Sequence, residues 1–249
     1  MKKLIFISLL SLIVSCNQDE EPNENILSEY IALNSNLEMA DLVACAGGRQ
    51  NGLLENASTP IDVFFYPIPG ATDFRYFEAT DIADSADFSK YVAKPLVDEP
   101  LFNGYLWKFN NTPFEGERMG VVTYKTPGKI HVCTPIRHKA NNKPTEVTKS
   151  LLQLTENGVN PSFSWTDGVI KENVIYFHVI SDIDNNLISG TYTIEKNFTF
   201  YDLSNVVFNI TNPDTNPMLK PESPYKFTLM GVSEDNWVNL FMEKEFWTP

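Results

Sequence analysis

The sequence predicts an all-β protein built from two β-sandwich domains, and three observations support that prediction. After residue 40, apolar residues alternate with polar ones or form runs of four to eight residues that are rich in Val, Ile, Phe, Tyr and Thr. Pro, Gly, Asn and Asp separate these runs, as is typical of turns between strands. A polar segment at residues 139–144 divides the runs into two sets, so we expect antiparallel strands in two domains.

Residues 1–15 are predicted to form a lipoprotein signal peptide. Two lysines precede the apolar run Leu4–Val14, which is much shorter than the roughly twenty residues of a membrane-spanning helix. The segment Ile13-Val14-Ser15-Cys16 resembles the bacterial lipobox. This resemblance implies that Cys16 is lipidated, with acyl chains such as palmitate, and becomes the new amino terminus. An ordinary signal peptide with a chance cysteine is the alternative.

Residues 16–36 are predicted to be the lipidated cysteine and a flexible acidic tether. The stretch Asn17–Asn25 is strongly acidic and has no apolar residue beyond a proline, so it cannot bury enough surface to fold. Acidic residues directly after the cysteine resemble the surface-export signal of Bacteroidetes-type lipoproteins. That resemblance implies a lipid anchor in the outer membrane, with the cell surface favoured over the periplasmic face. Apolar spacing from Ile26 to Met39 is compatible with one short helix.

Residues 37–140 are predicted to form the N-terminal β-sandwich domain. The run Ile61–Tyr66 stops at a proline, and Asp73–Ala79 alternates polar with aromatic residues, as expected of a strand with one buried face. The clearest hairpin joins Arg118–Tyr124 to Lys129–Cys133 through Thr-Pro-Gly, because proline presets the turn and glycine accepts a positive φ. Further strands are expected at Leu42–Ala46 and Leu106–Phe109, and a short helix or loop at Ala83–Tyr91.

Residues 144–249 are predicted to form the C-terminal β-sandwich domain. Strands are expected at Ser162–Trp165, Val174–Ile180, Gly190–Phe200 and Val206–Ile210. In the stretch Leu219–Val232 that follows, a leucine precedes a tyrosine by six residues. This spacing resembles the penultimate strand of fibronectin type III domains, which are Ig-like sandwiches. The resemblance implies that Trp165 packs in the core and that the hydroxyl of Tyr225 bonds back to the backbone near the corner.

The charge of the chain argues against nucleic acid as a partner. Its formal net charge is -13, and such a surface repels phosphate backbones and anionic lipid head groups. The sequence has no Gly-rich phosphate loop, no paired-cysteine zinc pattern and no nucleophile elbow. We therefore predict no cofactor, no metal site and no catalytic residue. The histidines are His131, His138 and His178, and the first and last alternate with apolar residues, so we expect them to face solvent or a partner strand.

One cluster of hard oxygen ligands invites comparison with a calcium loop. Its members are Asp182, Asp184, Asn185 and Asn186. Calcium takes carboxylate and amide oxygens of this kind, but the run lacks the glycine and the distal glutamate of a complete calcium loop. Because the run lies between two predicted strands, an ordinary turn is the favoured interpretation.

Two cysteines remain when Cys16 is assigned to the lipid. Cys45 and Cys133 form an even pair in an oxidising compartment, so a disulfide between them is permitted. Two buried free thiols are equally compatible with the sequence, and the spacing does not decide between the two alternatives.

A loop near the C-terminus is the candidate ligand-binding site. The residues are Glu234, Asp235, Asn236 and Trp237, which place an aromatic ring beside hydrogen-bonding side chains between the last two predicted strands. Loops at the end of a sandwich commonly meet ligands, and a tryptophan ring can stack on a sugar. The alternative is that Trp237 caps the core.

A modification site is suggested by a further resemblance. Asp84-Ser85-Ala86 resembles the short O-glycosylation acceptor pattern of Bacteroidetes-type exported proteins. The flanking acidic residues indicate an exposed loop, so Ser85 is the residue that this resemblance implies is glycosylated.

Two classes of function are compatible with the sequence. The favoured one is a membrane-anchored lipoprotein that acts as a non-catalytic binding or adhesion module for a glycan or a protein. The alternative is a hydrolase that uses acidic residues to cleave cell-surface polysaccharide. An enzyme needs two or three polar groups that converge in a cleft, whereas a binding module needs only an accessible face.

Overall fold

The described part of the chain is mainly β-strand, as predicted. The computed structural model describes residues 22–49, 60–111, 116–211 and 217–249, so the predicted signal peptide and Cys16 lie outside the described residues. One α-helix, α1 (Leu27–Leu33), precedes the strands. Short 3-10 turns occur at Ile82–Asp84, Phe88–Lys90 and Phe102–Gly104. In the described part of the chain, no helix combines the length and apolar character needed to cross a bilayer.

The N-terminal half forms two sheets that enclose one core. Its strands are β1 (Glu38–Leu42), β2 (Ala44–Gly48), β3 (Ile61–Phe65), β4 (Thr72–Ala79), β5 (Val92–Lys94), β6 (Asp98–Leu101), β7 (Leu106–Asn111), β8 (Arg118–Thr126), β9 (Lys129–Cys133) and β10 (Ile136–His138). One sheet has the order β1-β9-β8-β4-β5, with β10 also paired to β8. The other has the order β2-β3-β7-β6. The predicted β8–β9 hairpin is present, and Gly128 takes the positive φ of 80° that its turn requires.

The C-terminal half also forms two sheets. Its strands are β11 (Glu146–Val147), β12 (Leu152–Thr155), β13 (Ser162–Trp165), β14 (Asn173–Asp182), β15 (Leu187–Thr193), β16 (Asn197–Thr199), β17 (Val206–Asn209), β18 (Pro224–Ser233) and β19 (Val238–Trp247). One sheet has the order β11-β19-β18-β14-β15-β17, and the other has the order β12-β13-β16. The predicted long strand Gly190–Phe200 is two strands, β15 and β16, which belong to different sheets.

The two halves repeat one Ig-like arrangement. In the N-terminal half β9 pairs with β8 on one side and with the short parallel strand β1 on the other. In the C-terminal half β19 pairs in the same way with β18 and with the short parallel strand β11. These two parallel pairs, β1–β9 and β11–β19, depart from the purely antiparallel sheets that were predicted. The sheets divide between β10 and β11, at the predicted linker. Independent folding of the two halves stays a prediction.

The residues that carry the fibronectin-like resemblance take the positions it implies. Trp165 is 4% exposed and lies in the core of the C-terminal half. The hydroxyl of Tyr225 accepts a hydrogen bond from the backbone N–H of Lys220 at 2.8 Å, which closes the corner before β18. Leu219 is buried in the same core.

The prediction of a flexible tether over residues 16–36 is wrong in its C-terminal part. Helix α1 occupies part of that range, and Leu27 and Tyr30 are buried in the core of the N-terminal half. The phenol of Tyr30 donates a hydrogen bond to Asp73 at 3.0 Å. Because two side chains of the helix bury apolar surface, this segment belongs to the folded domain, and the tether can extend only as far as the residues before it.

A shared apolar cluster joins the two halves. It combines Phe64 and Leu106 of the N-terminal half with Phe177, Tyr192 and Met230 of the C-terminal half, among other residues. A cavity of about 210 Å³ lies among these side chains. The two sandwiches therefore share buried apolar surface.

Candidate functional site

The predicted ligand-binding loop is part of the joint between the two halves. Trp237 is fully buried and packs in the core cluster of the N-terminal half, although it belongs to the C-terminal chain. Its indole N–H donates a hydrogen bond to the carbonyl oxygen of Lys143 at 2.8 Å. No face of the ring is open to a sugar, so the prediction of a stacking tryptophan here is corrected. Trp237 instead caps the core of the N-terminal half, which was the alternative interpretation.

The neighbours of Trp237 in this loop are also engaged. Asp235 accepts a hydrogen bond from the ammonium group of Lys139 at 2.9 Å, and Asn236 donates from its amide to the hydroxyl of Thr134 at 2.9 Å. Burial alone would raise the pKa of Asp235, but hydrogen bonds from Lys139 and Ser233 outweigh it and lower the pKa. Glu234 is exposed. The loop therefore fixes one half of the molecule to the other.

Cys45 and Cys133 are free thiols. Cys133 points into the core of the N-terminal half, whereas Cys45 packs against the apolar cluster shared by the two halves. Successive side chains of a strand alternate between faces, and Ala44 and Ala46 take the core-facing positions of β2. The two thiols face different clusters and are not bonded to each other in this structure. Burial raises the pKa of both thiols to about 12.

All three histidines are buried rather than exposed to solvent. His178 lies opposite Thr191 on the neighbouring strand, at 3.0 Å from the threonine hydroxyl. His131 lies 3.2 Å from the carbonyl oxygen of Asp41, and His138 lies 2.9 Å from the hydroxyl of Tyr76. His131 and His178 therefore contact a neighbouring strand, which was one of the two expected positions. Neither of them faces solvent.

The cluster at Asp182 is a turn. The carboxylate of Asp182 accepts hydrogen bonds from the backbone N–H groups of Asp184 at 3.0 Å and Asn186 at 2.8 Å, and Asn185 has a positive φ of 63°. These bonds occupy the carboxylate and close the β14–β15 hairpin. Across the described ranges, no group of three or more His, Cys, Asp or Glu side chains is arranged to hold a metal ion.

Ser85 is half-buried at the end of a 3-10 turn, and its flanking residue Ala86 is exposed. Its carbonyl oxygen accepts a hydrogen bond from the phenol of Tyr91 at 2.9 Å. O-glycosylation of Ser85 stays a prediction.

An aromatic cleft lies where the two halves meet. It has a volume of about 720 Å³. The N-terminal half contributes the segment at residues 66–71, between β3 and β4, and the turn before β7. The C-terminal half contributes Asn209, Ile210 and Thr211, at the end of β17. We call this feature the interdomain cleft.

Aromatic rings form one wall of the interdomain cleft. They belong to Tyr66, Phe74, Tyr105 and Trp107. Phe74 and Trp107 pack with their ring centroids 4.9 Å apart, and the indole N–H of Trp107 donates to the carbonyl oxygen of Gly104 at 3.1 Å. Tyr66, Tyr105 and Trp107 are all half-buried, so part of each side chain remains accessible. The packing against Phe74 and the hydrogen bond to Gly104 fix the position of the Trp107 ring.

The phenol hydroxyls of Tyr66 and Tyr105 form no hydrogen bond within the described part of the chain. Burial, followed by the proximity of Tyr105, raises the pKa of Tyr66. The hydroxyl of Tyr66 therefore remains protonated at neutral pH. A phenol hydroxyl can donate one hydrogen bond and accept others. The cleft presents both hydroxyls beside apolar ring surface.

A left-handed turn carries a third polar group to the interdomain cleft. Phe102, Asn103 and Gly104 have consecutive positive φ values of 49°, 60° and 82°. This region is unfavourable for Phe, tolerated by Asn and free of strain for Gly. Residues held in such conformations cluster at binding sites, because the surrounding structure must over-determine them. Asn103 is exposed, and its amide has no hydrogen-bond partner among the described residues.

Polar groups on the opposite wall are already paired. The amide of Asn209 donates to the hydroxyl of Tyr201 at 3.0 Å and accepts from the backbone N–H of Thr211 at 2.8 Å. The hydroxyl of Thr211 accepts from the N–H of Gly190 at 3.0 Å. This wall therefore gives the cleft its shape and leaves hydrogen bonding to the tyrosines and Asn103.

No sequence pattern predicts the interdomain cleft. In the sequence, Trp107 and Tyr66 belong only to predicted strands. The Asn-Gly pair at residues 103 and 104, next to two aromatic residues, was the available local signal. The other wall begins about one hundred residues later, so its proximity could not be read from the sequence.

Comparisons with known proteins assign no family to the chain. No protein-family model matches the chain, and no curated protein matches it. One similar solved structure is the crystal structure of chicken CNTN1 FN1-FN3 domains. It shares 11% identity, the match covers 86% of this chain and 68% of that chain, and the TM-score is 0.30.

Proposed function

We propose that the protein is a lipid-anchored cell-surface lipoprotein that binds a glycan, without cleaving it, in the interdomain cleft. The observation that carries this proposal is the wall of half-buried aromatic rings beside unpaired hydroxyl and amide groups. Ligand sites of this kind are mainly apolar, contain a few placed polar groups and have volumes of roughly 300–1,000 Å³. The cleft volume of about 720 Å³ falls in that range.

Sugar rings suit this lining chemically. Each pyranose ring has an apolar face of C–H groups and an edge of hydroxyls that donate and accept hydrogen bonds. Tyr105 and Trp107 supply ring surface for the apolar face, and the unpaired hydroxyls of Tyr66 and Tyr105 supply partners for the edge. Burying such a face removes apolar area from water, which favours binding.

The absence of converging acids supports binding over hydrolysis. Glycoside hydrolysis commonly uses two carboxyl groups about 5–9.5 Å apart across the scissile bond. The described residues that line the interdomain cleft include no Asp, Glu, His, Cys, Lys or Arg. Tyrosine is the only titratable residue type among them.

The predicted anchor supports a location at a membrane surface. The lipobox-like segment that ends at Cys16 and the acidic residues after it precede the folded domain. Glu24 and Asn25 already bond to that domain, through Arg75 and the N–H of Ala93. A flexible tether of about six residues, from Asn17 to Pro22, would reach roughly 12–15 Å from the bilayer. An anchored protein of this kind would capture a glycan at the cell surface.

Titration calorimetry of the purified protein with a panel of soluble oligosaccharides tests the proposal. We expect at least one to bind, and Trp107→Ala to abolish that binding. Trp247→Ala is the matched control, because Trp247 is 63% exposed and lies outside the cleft.

Thermal melting of each variant separates loss of binding from loss of fold. Tyr105→Phe serves as a second cleft variant, since it removes only one hydroxyl group. Release of reducing ends from any bound polysaccharide would contradict the non-catalytic function. Binding that persists in Trp107→Ala and disappears in Trp247→Ala would place the site elsewhere.

A further inference from the structure

We infer that the interdomain cleft selects uncharged sugars, and that Asn103, at the centre of the left-handed turn Phe102–Gly104, contributes to binding them. The inference rests on the glycan-binding function proposed above and specifies its ligand class. It makes Asn103 a ligand-binding residue of the cleft.

Charge excludes acidic sugars from the interdomain cleft. The described lining residues contain no Lys or Arg to pair with a carboxylate or a sulfate group. Bringing an unpaired anion into a partly buried aromatic site costs free energy, because its hydration is lost without a compensating partner. The formal net charge of -13 adds a long-range repulsion. A uronic acid or a sulfated sugar therefore meets two penalties that a neutral sugar avoids.

The unpaired polar groups of the cleft match hydroxyls. The phenols of Tyr66 and Tyr105 can each donate and accept, and so can a sugar hydroxyl. The amide of Asn103 adds two donor hydrogens and one acceptor oxygen. A set that mixes donors and acceptors without net charge is complementary to neutral hydroxyls and has no preference for an anion.

The backbone of the turn makes Asn103 a fixed recognition group. Its φ of 60° lies between two other positive values, and the N–H of Tyr105 donates to the carbonyl oxygen of Phe102 at 3.3 Å to close the turn. The indole N–H of Trp107 donates to the carbonyl oxygen of Gly104, at the end of the turn. The same ring that contacts the ligand therefore fixes the turn that carries the amide, and less conformational freedom is lost on binding.

Two substitutions of Asn103 separate its roles. Asn103→Gly keeps the left-handed backbone, since glycine adopts positive φ without strain, and removes the amide. Asn103→Asp keeps the shape and adds a negative charge. The matched control is Asn185→Gly, because Asn185 also has a positive φ, of 63°, in the β14–β15 turn outside the cleft.

The experiment is titration calorimetry of the full chain and these variants with neutral gluco- and manno-oligosaccharides, and with galacturonate and sulfated oligosaccharides of equal length. We expect the neutral sugars to bind at least about tenfold more tightly than the acidic ones. We expect Asn103→Gly and Asn103→Asp each to weaken neutral-sugar binding by roughly three- to tenfold, the size of one lost hydrogen bond. Asn185→Gly should leave the affinity within about twofold.

The outcomes distinguish this inference from the proposed function. If no oligosaccharide binds the unmodified protein, the glycan-binding function itself fails. If acidic sugars bind as tightly as neutral ones, or if both Asn103 variants bind neutral sugars normally, the inference fails while the binding function stands. A proline-rich peptide that binds in place of all sugars would assign the aromatic wall to a different class of ligand.

Discussion

Trp165 packs between the two sheets of the C-terminal half. Its ring centroid lies 5.5 Å from that of Tyr176, 5.7 Å from the imidazole of His178 and 6.2 Å from that of Phe227. The residue joins β13 of one sheet to β14 and β18 of the other. Truncating it would leave a cavity between the sheets.

We predict that Trp165→Ala lowers the free energy of unfolding by about 3–5 kcal/mol, because a buried indole is replaced by a cavity. Trp247→Ala is the control, and it should change stability by less than about 0.5 kcal/mol, since that ring is 63% exposed. Urea denaturation followed by circular dichroism measures both values. An unchanged unfolding midpoint for Trp165→Ala would contradict the structural role.

Two buried histidines make stability depend on pH. Burial lowers the pKa of His178 to about 3, and burial together with nearby Arg118 lowers that of His138 to about 3. An unfolded histidine titrates near pH 6.5. Below that pH the unfolded chain binds protons that the folded chain does not, so stability falls as pH decreases from about 6.5 toward about 3.

The expected slope is up to about 1.4 kcal/mol per pH unit for each histidine. Urea unfolding at roughly pH 7, 6 and 5 measures this slope. Carboxylates with lowered pKa values, such as Asp167 and Asp235, lose their contribution to stability only at lower pH, so they interfere little in this range. His178→Leu should remove about half of the slope. A variant that keeps the full slope would show that His178 does not titrate in this way.

At the scale of elements, the β18–β19 turn determines how the two sandwiches join. The backbone of β2 donates from Ala46 to the carbonyl oxygen of Asn236 at 3.0 Å, and Arg137 donates to that of Asp235 at 2.9 Å. Lys139, at 4% exposure, extends from the N-terminal half to Asp235 and Ser233. Strands from both halves thus meet at one turn.

We predict that Asp235→Ala destabilises the protein by about 1–3 kcal/mol, because it leaves the buried ammonium group of Lys139 without its carboxylate. The double substitution of Lys139→Met with Asp235→Ala should recover most of that loss, since neither charge then remains. Urea unfolding of both single variants and the double variant forms the required cycle. A double variant as unstable as the sum of the single ones would rule out this coupling.

At the scale of the whole molecule, we predict that Cys16 carries the lipid. Cys16→Ala should release the protein from membranes and prevent its labelling by radioactive palmitate, because the acylated cysteine supplies the apolar anchor. Cell fractionation and fluorography measure these two properties. Cys45→Ala is the control and should remain anchored and labelled. Labelling that persists in Cys16→Ala would place the lipid elsewhere.

The sequence by itself determined the features that depend on neighbouring residues. It predicted the all-β fold, the β8–β9 hairpin, the corner at Tyr225 and the turn at Asp182. Period-two patterning and turn chemistry act over a few residues, so they are visible in the sequence. The prediction of one long strand at Gly190–Phe200 was wrong. The chain passes from one sheet to the other within this segment, and the alternation of apolar residues does not reveal that change.

Only the tertiary structure decided which surfaces are buried and which are open. Trp237 follows four polar residues in the sequence, yet it is buried because β2 of the N-terminal half lies against it. Cys45 and Cys133 face different apolar clusters. Trp107 and Asn209 line the same cleft. Burial depends on contacts between residues about one hundred positions apart, and local patterning does not specify those contacts.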